Sequence, residues 1–487
     1  MTKKSISRLL QASLMCCLAV LFTACDDIFA SEDNPTPAYL SMSDKPVTIK
    51  VGDTYRRKAI SVTTAVVEYT SSKTDVATVD GEGMVTAIAE GTATITATAT
   101  GYSSQNGKKI YQPASVSYVV TVTPATVYAT SLSIDATLRL DNVAKTLTPT
   151  VTPSDATIIW TSSDEAVATV DAEGKVTPVA KGKATITATS GDLSATSTVY
   201  VYDKIWNINT DGAANVAGGE FWLIEGNGSE IGNAITINAS PTTTVTTVTL
   251  NGIKITNQII CSGDANIILA DGSTNSVTAP NEKAGIKIGG TGTLTINAET
   301  AGTGTLTAQG GNYGAGIGTN YDSAGGNIVI NGGTVTATGG MIAAGIGTGY
   351  VYSGTKTFGT ITINGGTVTA TGGMGAAGIG TGYVNGLTST NTCDDITING
   401  GTVTATGGMY GAGIGTGDAD GSTNTCGAIT IGTGVTSVTA TKGTSSPNSI
   451  GKGYNNYGTQ NCGTITIGGD ATTYAGGVTV SPFTYAP

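Results

Sequence analysis

In 487 residues, the groups able to do acid–base, nucleophilic or metal chemistry are few and poorly placed for it. Histidine is absent, which removes the commonest general base and the commonest zinc ligand. No Arg follows Arg139 and no Glu follows Glu299. Beyond residue 300 the acids are Asp322, Asp394, Asp395, Asp418, Asp420 and Asp470, and the bases are Lys356, Lys442 and Lys452. These fall in loops or at the ends of repeats, singly or as sequence neighbours. A polysaccharide lyase needs a strong base beside carboxylates that hold calcium, and a glycoside hydrolase needs two facing carboxylates. Neither set assembles from this inventory. Asp418-Ala419-Asp420-Gly421 begins like a calcium loop but lacks the later ligand positions. The chain reads as non-catalytic, with no cofactor and no metal.

Tyrosine, by contrast, recurs on a fixed beat. The phrase IVINGGTVTATGGMIAAGIGTGY (328–350) returns almost letter for letter at 361–383 and 396–418. A weaker copy precedes it at 305–321, and a stretched one follows at 429–454. Aligned, the copies end in Tyr321, Tyr350, Tyr383, Asp418 and Tyr454, with Tyr352, Tyr410 and Tyr457 nearby. In stacked coils such ends stand about 4.8 Å apart, one per coil. Aromatic faces in a row can lie against sugar rings, each offering apolar area and a hydroxyl. The same rings can instead stack on one another as a ladder that guards the corner, and both readings stay open here. The candidate carbohydrate-binding residues are Tyr321, Tyr350, Tyr352, Tyr383 and Tyr454.

Other columns repeat as well. Thr334, Thr367 and Thr402, with the threonines two and four residues on, form flat T-x-T arrays. These are similar to the arrays of ice-binding β-helices, although Thr is also the default outward residue of a neutral sheet. Met341, Met374 and Met409 share a column that fits a packing layer or a corner. Cys393, Cys426 and Cys462 each lie three residues before a strand-opening Ile, where earlier copies have Gly325 and Phe358. A mixed Gly/Phe/Cys column predicts an inward packing position and favours buried thiols over a disulfide or a metal site.

The elements that must position these columns are short strands. Each phrase yields three: Ile361-Thr362-Ile363, Thr367 to Thr371, and Ala376 to Thr381. Asn364-Gly365-Gly366 and Gly372-Gly373 make the corners, because Gly takes the positive φ such bends require. Alternation puts Ile361, Ile363, Val368, Ala370 and Ile379 on one side and Thr362, Thr367, Thr369 and Thr371 on the other. Stacking identical coils buries the apolar side while every strand pairs above and below, which is a parallel β-helix. The variable segments 351–360, 384–395, 419–428 and 455–464 should bulge along one edge. Antiparallel propeller blades are the runner-up, but 23 repeated residues are too few for four strands.

Upstream, YTSSKTDVATVDGEGMVTAIAEGTATITATA from Tyr69 and WTSSDEAVATVDAEGKVTPVAKGKATITATS from Trp160 alternate apolar and polar residues between turn signals. That is the pattern of half-buried antiparallel strands in a sandwich. The shared phrase resembles the group-2 bacterial immunoglobulin-like domain of surface proteins and adhesins, which implies a spacer or adhesive module. Downstream, L-N-G-I-K-I-T (250–256), L-A-D-G-S-T-N-S (269–276) and the I-N-G-G-T-V-T-A-T-G-G and A-G-I-G-T-G units resemble the β-helical carbohydrate-binding-domain family. That resemblance covers about 245–470 and implies glycan contact as a ligand class. The expected fold class is all-β: two immunoglobulin-like β-sandwiches, then a parallel β-helix solenoid.

The N-terminus reads as a processing signal. Lys3, Lys4 and Arg8 precede a short apolar stretch that ends Phe22-Thr23-Ala24-Cys25. This resembles a bacterial lipobox, which implies lipidation of Cys25, and the acidic residues that follow are similar to the surface-export signal of Bacteroidota lipoproteins. The expected organisation is signal peptide 1–24, tether 25–37, Ig-like domains 38–124 and 125–203, and a carbohydrate-binding β-helix 204–487. Net charge of −11 and pI about 4.5 argue against a nucleic-acid partner. The expected partners are a membrane, through the lipid anchor, and a polysaccharide or a host or neighbour surface. The expected location is the cell surface, on the outer membrane. The expected function is non-catalytic glycan binding or adhesion, with a protein-binding adhesin and then a lyase-like enzyme as alternatives.

Overall fold

The computed structural model describes residues 36–37, 40–61, 65–100, 111–470, 474 and 476–487. Cys25, the signal segment and most of the expected tether lie outside these residues. All regular structure among the described residues is β-strand. The chain divides into two compact units. One holds the described residues up to Leu132 with Thr150–Ile159 and Thr189–Leu193, and the other holds Ser133–Pro149, Trp160–Ala188 and Ser194–Pro487.

The first unit is built on a four-stranded sheet ordered Val47–Lys50, Ala114–Thr123, Gly91–Thr100, Val66–Ser71. A three-stranded sheet of Thr54–Arg56, Met84–Ala87 and Ala77–Val79 faces it. Alternation fixes which residues meet between them. Ala77, Val85, Ala93, Ile95, Tyr118 and Val120 form the core, while Thr92, Thr94 and Thr96 stay outside.

The second sandwich repeats this plan, with a sheet ordered Thr137–Leu140, Leu193–Val201, Gly182–Ser190, Ile159–Ser162. Its core is Leu140, Leu147, Ile186 and Val199, with Trp160 packed against it. No loose linker follows. Tyr202 N–H donates to the Leu140 carbonyl and Asp203 N–H to the Phe221 carbonyl, so the chain passes directly into the first coil of the solenoid.

The solenoid is a stack of parallel coils. One ladder holds ten strands, from Lys204–Asn207 to Ile465–Ile467. A second holds nine, from Ala214–Val216 to Ile450–Gly451. A third runs from Lys254–Ile255 to Val435–Thr441 and is closed by the antiparallel Phe483–Tyr485. Ile361, Ile363, Val368, Ala370 and Ile379 all face the core, as the alternation requires. Each buried Ile or Val of this kind contributes about 1.5–3 kcal/mol relative to exposure.

Three details depart from the sequence reading. The third strand of each phrase is only two residues, Ile379–Gly380 in the middle copy, because Gly373 to Ala376 close a tight turn (Ala376 N–H to Gly373 O, 2.9 Å). The variable segments do not bulge freely. They form a fourth ladder of Thr355–Phe358, Thr390–Cys393, Thr423–Cys426 and Thr459–Cys462, and beside it a fifth of Val384–Asn385, Ala419–Asp420 and Asn455–Asn456. The glycine corners also have two different causes. Gly366 does sit at φ +83°, but Gly373 has no positive φ; a Cβ there would overlap the Gly340 carbonyl oxygen of the coil below. Asn331, Asn364 and Asn399 at the first corner, continued by Asn297 and Asn266 from the earlier strands, hydrogen-bond from coil to coil, as amide N–H to amide oxygen.

Candidate functional site: a tyrosine-lined corner

The corner that carries the tyrosines follows the short second-ladder strands. It is fixed from inside by two polar columns. Thr319, Thr348, Thr381 and Thr416 are buried, and each hydroxyl accepts the N–H of a glycine one coil on, at 2.7–2.9 Å. Asn391, Asn424 and Gln460 point inward from the fourth ladder. Asn391 Nδ2 donates to Thr348 Oγ1 (2.9 Å), and Asn424 Nδ2 donates to the carbonyls of Gly382 (3.0 Å) and Asp418 (3.2 Å). Gln460 Nε2 donates to the carbonyls of Gly417 (2.7 Å) and Tyr454 (2.6 Å). Buried polar groups of this type fix geometry, because an unpaired one is costly.

On the outside, the tyrosines use their faces on each other. The rings of Tyr321 and Tyr350 lie 5.4 Å apart, and those of Tyr350 and Tyr383 lie 5.5 Å apart with an interplanar angle of 12°. Tyr313 packs against both Tyr321 and Tyr350 at 5.7 Å. These separations exceed the 4.8 Å expected of strand spacing because the rings tilt and offset. Tyr352 flanks the row, 6.3 Å from Tyr350 and 55% exposed. Tyr454 does not join it. It stacks on Tyr410 at 5.3 Å, on the far side of the position Asp418 occupies. The five candidate residues therefore form a block of four (Tyr321, Tyr350, Tyr352, Tyr383) and a separate Tyr410–Tyr454 pair. Tyr457 stands almost free at 94% exposure, with φ +60°.

The electrostatics follow from this packing. Burial, and then the neighbouring tyrosines, push the Tyr350 hydroxyl up to about 12. Burial and then Asp420 push Tyr383 higher still, and its hydroxyl donates to Asp420 Oδ2 (3.2 Å). Asn456 Nδ2 donates to the other Asp420 oxygen (3.1 Å). Asp418 is only 7% exposed, and its Oδ1 has no hydrogen-bond partner among the described residues. Burial, and then the nearby Asp420, raise this carboxyl to about 7. Asp322 behaves in the opposite way. Burial pulls it up, but hydrogen bonds from Ser353 and the Tyr352 N–H, with Lys356 nearby, outweigh that and hold it below the usual range.

Two hollows of about 440 and 430 Å³ meet at Gly290 and Thr291, and neither is lined by a tyrosine. Met341, Met374 and Met409 are exposed and form a ridge in place of an inner packing layer, because the Gly-Gly turn before each one carries it outward. Among the described residues no group of three metal-ligating side chains converges. The sequence reading missed Asn391, Asn424 and Gln460, and the repeated T-N-T-C at 390–393 and 423–426 was the available signal.

Residues 39–110 and 117–201 match the bacterial Ig-like domain (group 2), and 301–321, 328–350, 361–383 and 396–418 match the beta helix repeat. The chain carries two group-2 bacterial Ig-like domains and a β-helix repeat region. Among curated proteins it is similar to ice-binding protein 1 of Shewanella frigidimarina, 31% identical over 161 residues, covering 32% of this chain and 17% of that protein. An uncharacterized protein of Clostridium acetobutylicum is 34% identical over 143 residues, 28% of this chain and 14% of that protein. The chain thus spans less than a fifth of the length of either relative, with 17% and 14% covered. Among solved structures, domains 4 and 5 of the S-layer protein SbsC share 22% identity over 28% of this chain and 76% of that one, with a TM-score of 0.14. A SusE-like surface located polysaccharide binding protein from the Bacteroides thetaiotaomicron heparin utilisation locus shares 13% identity over 37% and 38%, also with a TM-score of 0.14. Overlaps this partial bear on neither ligand nor assembly.

Proposed function

We propose that the chain is a non-catalytic cell-surface protein that binds polysaccharide along the tyrosine corner of its β-helix. In this reading residues 1–24 are a signal peptide, Cys25 carries the lipid, 25–37 tether the chain to the outer membrane, and domains 38–124 and 125–203 are the Ig-like stalk. The β-helix, 204–487, presents the ligand edge. The observation that carries it is the rigid aromatic block of Tyr321, Tyr350 and Tyr383 with exposed Tyr352 beside it. Because the stacked rings spend their faces on one another, sugar contact falls to their edges and hydroxyls and to the free faces of Tyr352 and Tyr457. Such contacts are individually weak, and a repeating polymer engages several at once.

Catalysis is disfavoured at the Asp418–Asp420 pair. Asp418 has a raised pKa, yet its Oδ1 is buried, and the neighbouring Asp420 carboxylate is engaged by Tyr383 Oη and Asn456 Nδ2. The test is a polysaccharide array probed with the full chain. Retention of at least one glycan class is expected, weakened about fivefold or more by Tyr352→Ala with Tyr457→Ala, since an aromatic contact is worth about 1 kcal/mol. Absence of signal across the array would sink this reading. Its rival is a protein ligand, favoured by the exposed Met341, Met374 and Met409 ridge and by Leu387, which is 93% exposed.

A further inference from the structure

Cys393, Cys426 and Cys462 are Cα partners on successive coils of the fourth ladder. All three face inward, with Cys393 and Cys426 buried and Cys462 half-buried against the same core. The ladder treats them unequally. Cys393 Sγ is directed to the Gly359 carbonyl at 3.9 Å, toward the coil below. The Cys426 and Cys462 thiols instead interact with one another across the last two coils. In-register partners on adjacent strands stand about 4.8 Å apart, inside the roughly 4.4–6.8 Å Cα span that a disulfide bridges.

We propose that Cys426 and Cys462 form a disulfide that staples the last two coils of the fourth ladder, made by exchange with a low-molecular-weight disulfide. Cys462 is the entry point. It is the half-exposed member, and the hydrogen bond from Cys426, with Lys452 adding to it, favours its thiolate against burial. Cys426 is the buried donor, held well above the usual thiol range by that same bond and by burial. The thiolate is the attacking species in such exchange.

The Cys462 thiolate attacks one sulfur of the small disulfide RSSR. That S–S bond breaks and one thiolate RS⁻ leaves, giving a mixed disulfide on Cys462. Cys426 then yields its proton to a released thiolate and attacks the Cys462 sulfur, expelling the second RS⁻. Two protein thiols are oxidised to one disulfide, one RSSR is reduced to two thiols, and the two protein protons end on them. Cys393 takes no part, because its sulfur is engaged one coil below.

This inference is independent of what the tyrosine corner binds. The full chain is reduced, equilibrated with glutathione disulfide, alkylated under denaturing conditions and mapped by peptide mass spectrometry. The expected product is one peptide pair linking Cys426 to Cys462, two hydrogens lighter than the free thiols, with Cys261 and Cys393 alkylated. Cys393→Ser should leave the link intact and Cys462→Ser should abolish it. Oxidation should raise the unfolding midpoint of the parent by several degrees and leave that of Cys462→Ser unchanged. Full alkylation of Cys426 and Cys462, a link through Cys393, or a glutathione adduct that persists on Cys462 would each overturn the proposal.

Discussion

Arg139 and Glu299 meet across 160 residues of sequence: Nη2 of the guanidinium lies 2.9 and 2.6 Å from the two carboxylate oxygens. Glu299 is buried, its side chain 3% exposed, and it also accepts the Asp271 N–H at 2.9 Å. Around this pair Tyr200 Oη bonds Thr300, Lys183 Nζ reaches Thr300, and Tyr202 packs on Phe221. Strand Thr137–Leu140 of the second sandwich and the early coils of the β-helix are therefore one body. The ion pair thus ties the last sandwich strand to the coils that follow within one compact unit.

Removing one member of that pair should be costlier than removing both. Arg139→Met leaves a buried carboxylate without its cation, and a loss of about 3–5 kcal/mol is expected for a broken buried pair. The double variant Arg139→Met with Glu299→Met replaces both charges by apolar volume and should recover most of the loss. Denaturant unfolding of the three proteins checks this. Equal destabilisation by the single and double variants would show that the pair adds nothing to the joint.

The aromatic block separates stability from binding. Tyr350 sits between Tyr321 and Tyr383 and also meets Tyr313 and Tyr352, so Tyr350→Ala removes four ring contacts and should cost about 1–3 kcal/mol beyond its lost burial. Tyr457→Ala, at a side chain that packs on almost nothing, should change stability by less than about 0.5 kcal/mol. Thermal unfolding of both variants, read beside ligand retention, tells ladder from contact surface. A Tyr457→Ala protein that melts early would contradict the exposure described above.

The inner polar column should contribute alongside the apolar one. Asn424→Ala removes one donor from each of the carbonyls of Gly382 and Asp418, which keep Asn391 Nδ2 (3.4 Å) and the Val384 N–H (3.1 Å), at a cost of about 0.5–1.5 kcal/mol. Hydrogen exchange at Gly382, Tyr383 and Val384 should accelerate with it, because this corner is what the amide pins. Unchanged exchange there would mean that the Thr348 and Thr381 hydroxyls hold the corner alone.

What was legible in advance follows the same physics. Ile361, Ile363, Val368 and Ile379 betray their inward side because an apolar residue every second position has one explanation in a stacked strand. The fourth ladder gave half of such a signal. Of its inward residues in T-N-T-C, Cys393 belongs to the column legible as inward packing, but Asn391 lacks the apolar mark by which a buried strand is found, so the strand itself went unread. The ends of the tyrosine column were readable as a column, but whether rings face each other or solvent depends on tilt, which residue type does not encode. The joint at Arg139 and Glu299 was out of reach, since nothing in either local sequence announces a partner 160 residues away.

Asp418 breaks the tyrosine column and should also give the fold its own pH dependence. Its carboxyl is raised from 3.8 to about 7 by burial and then by Asp420, so the folded chain holds that proton more tightly than the unfolded chain does. Below pH 4 both states are protonated and the group contributes nothing to the pH dependence. Between about 4 and 7 the unfolded chain ionises and the folded chain does not, so stability falls as pH rises. Above 7 both are ionised and the loss is complete, with a ceiling of about 4 kcal/mol at about 1.4 kcal/mol per pH unit. Asp322, held low by Ser353, pulls the other way but only at more acid pH, as its carboxylate is protonated. Asp418→Asn keeps the shape and removes the titration. The variant should match the parent near pH 4 and exceed it in stability at pH 8, measured by denaturant unfolding across that range. A parent–variant difference that stays constant with pH would mean that Asp418 is already ionised in the folded coil.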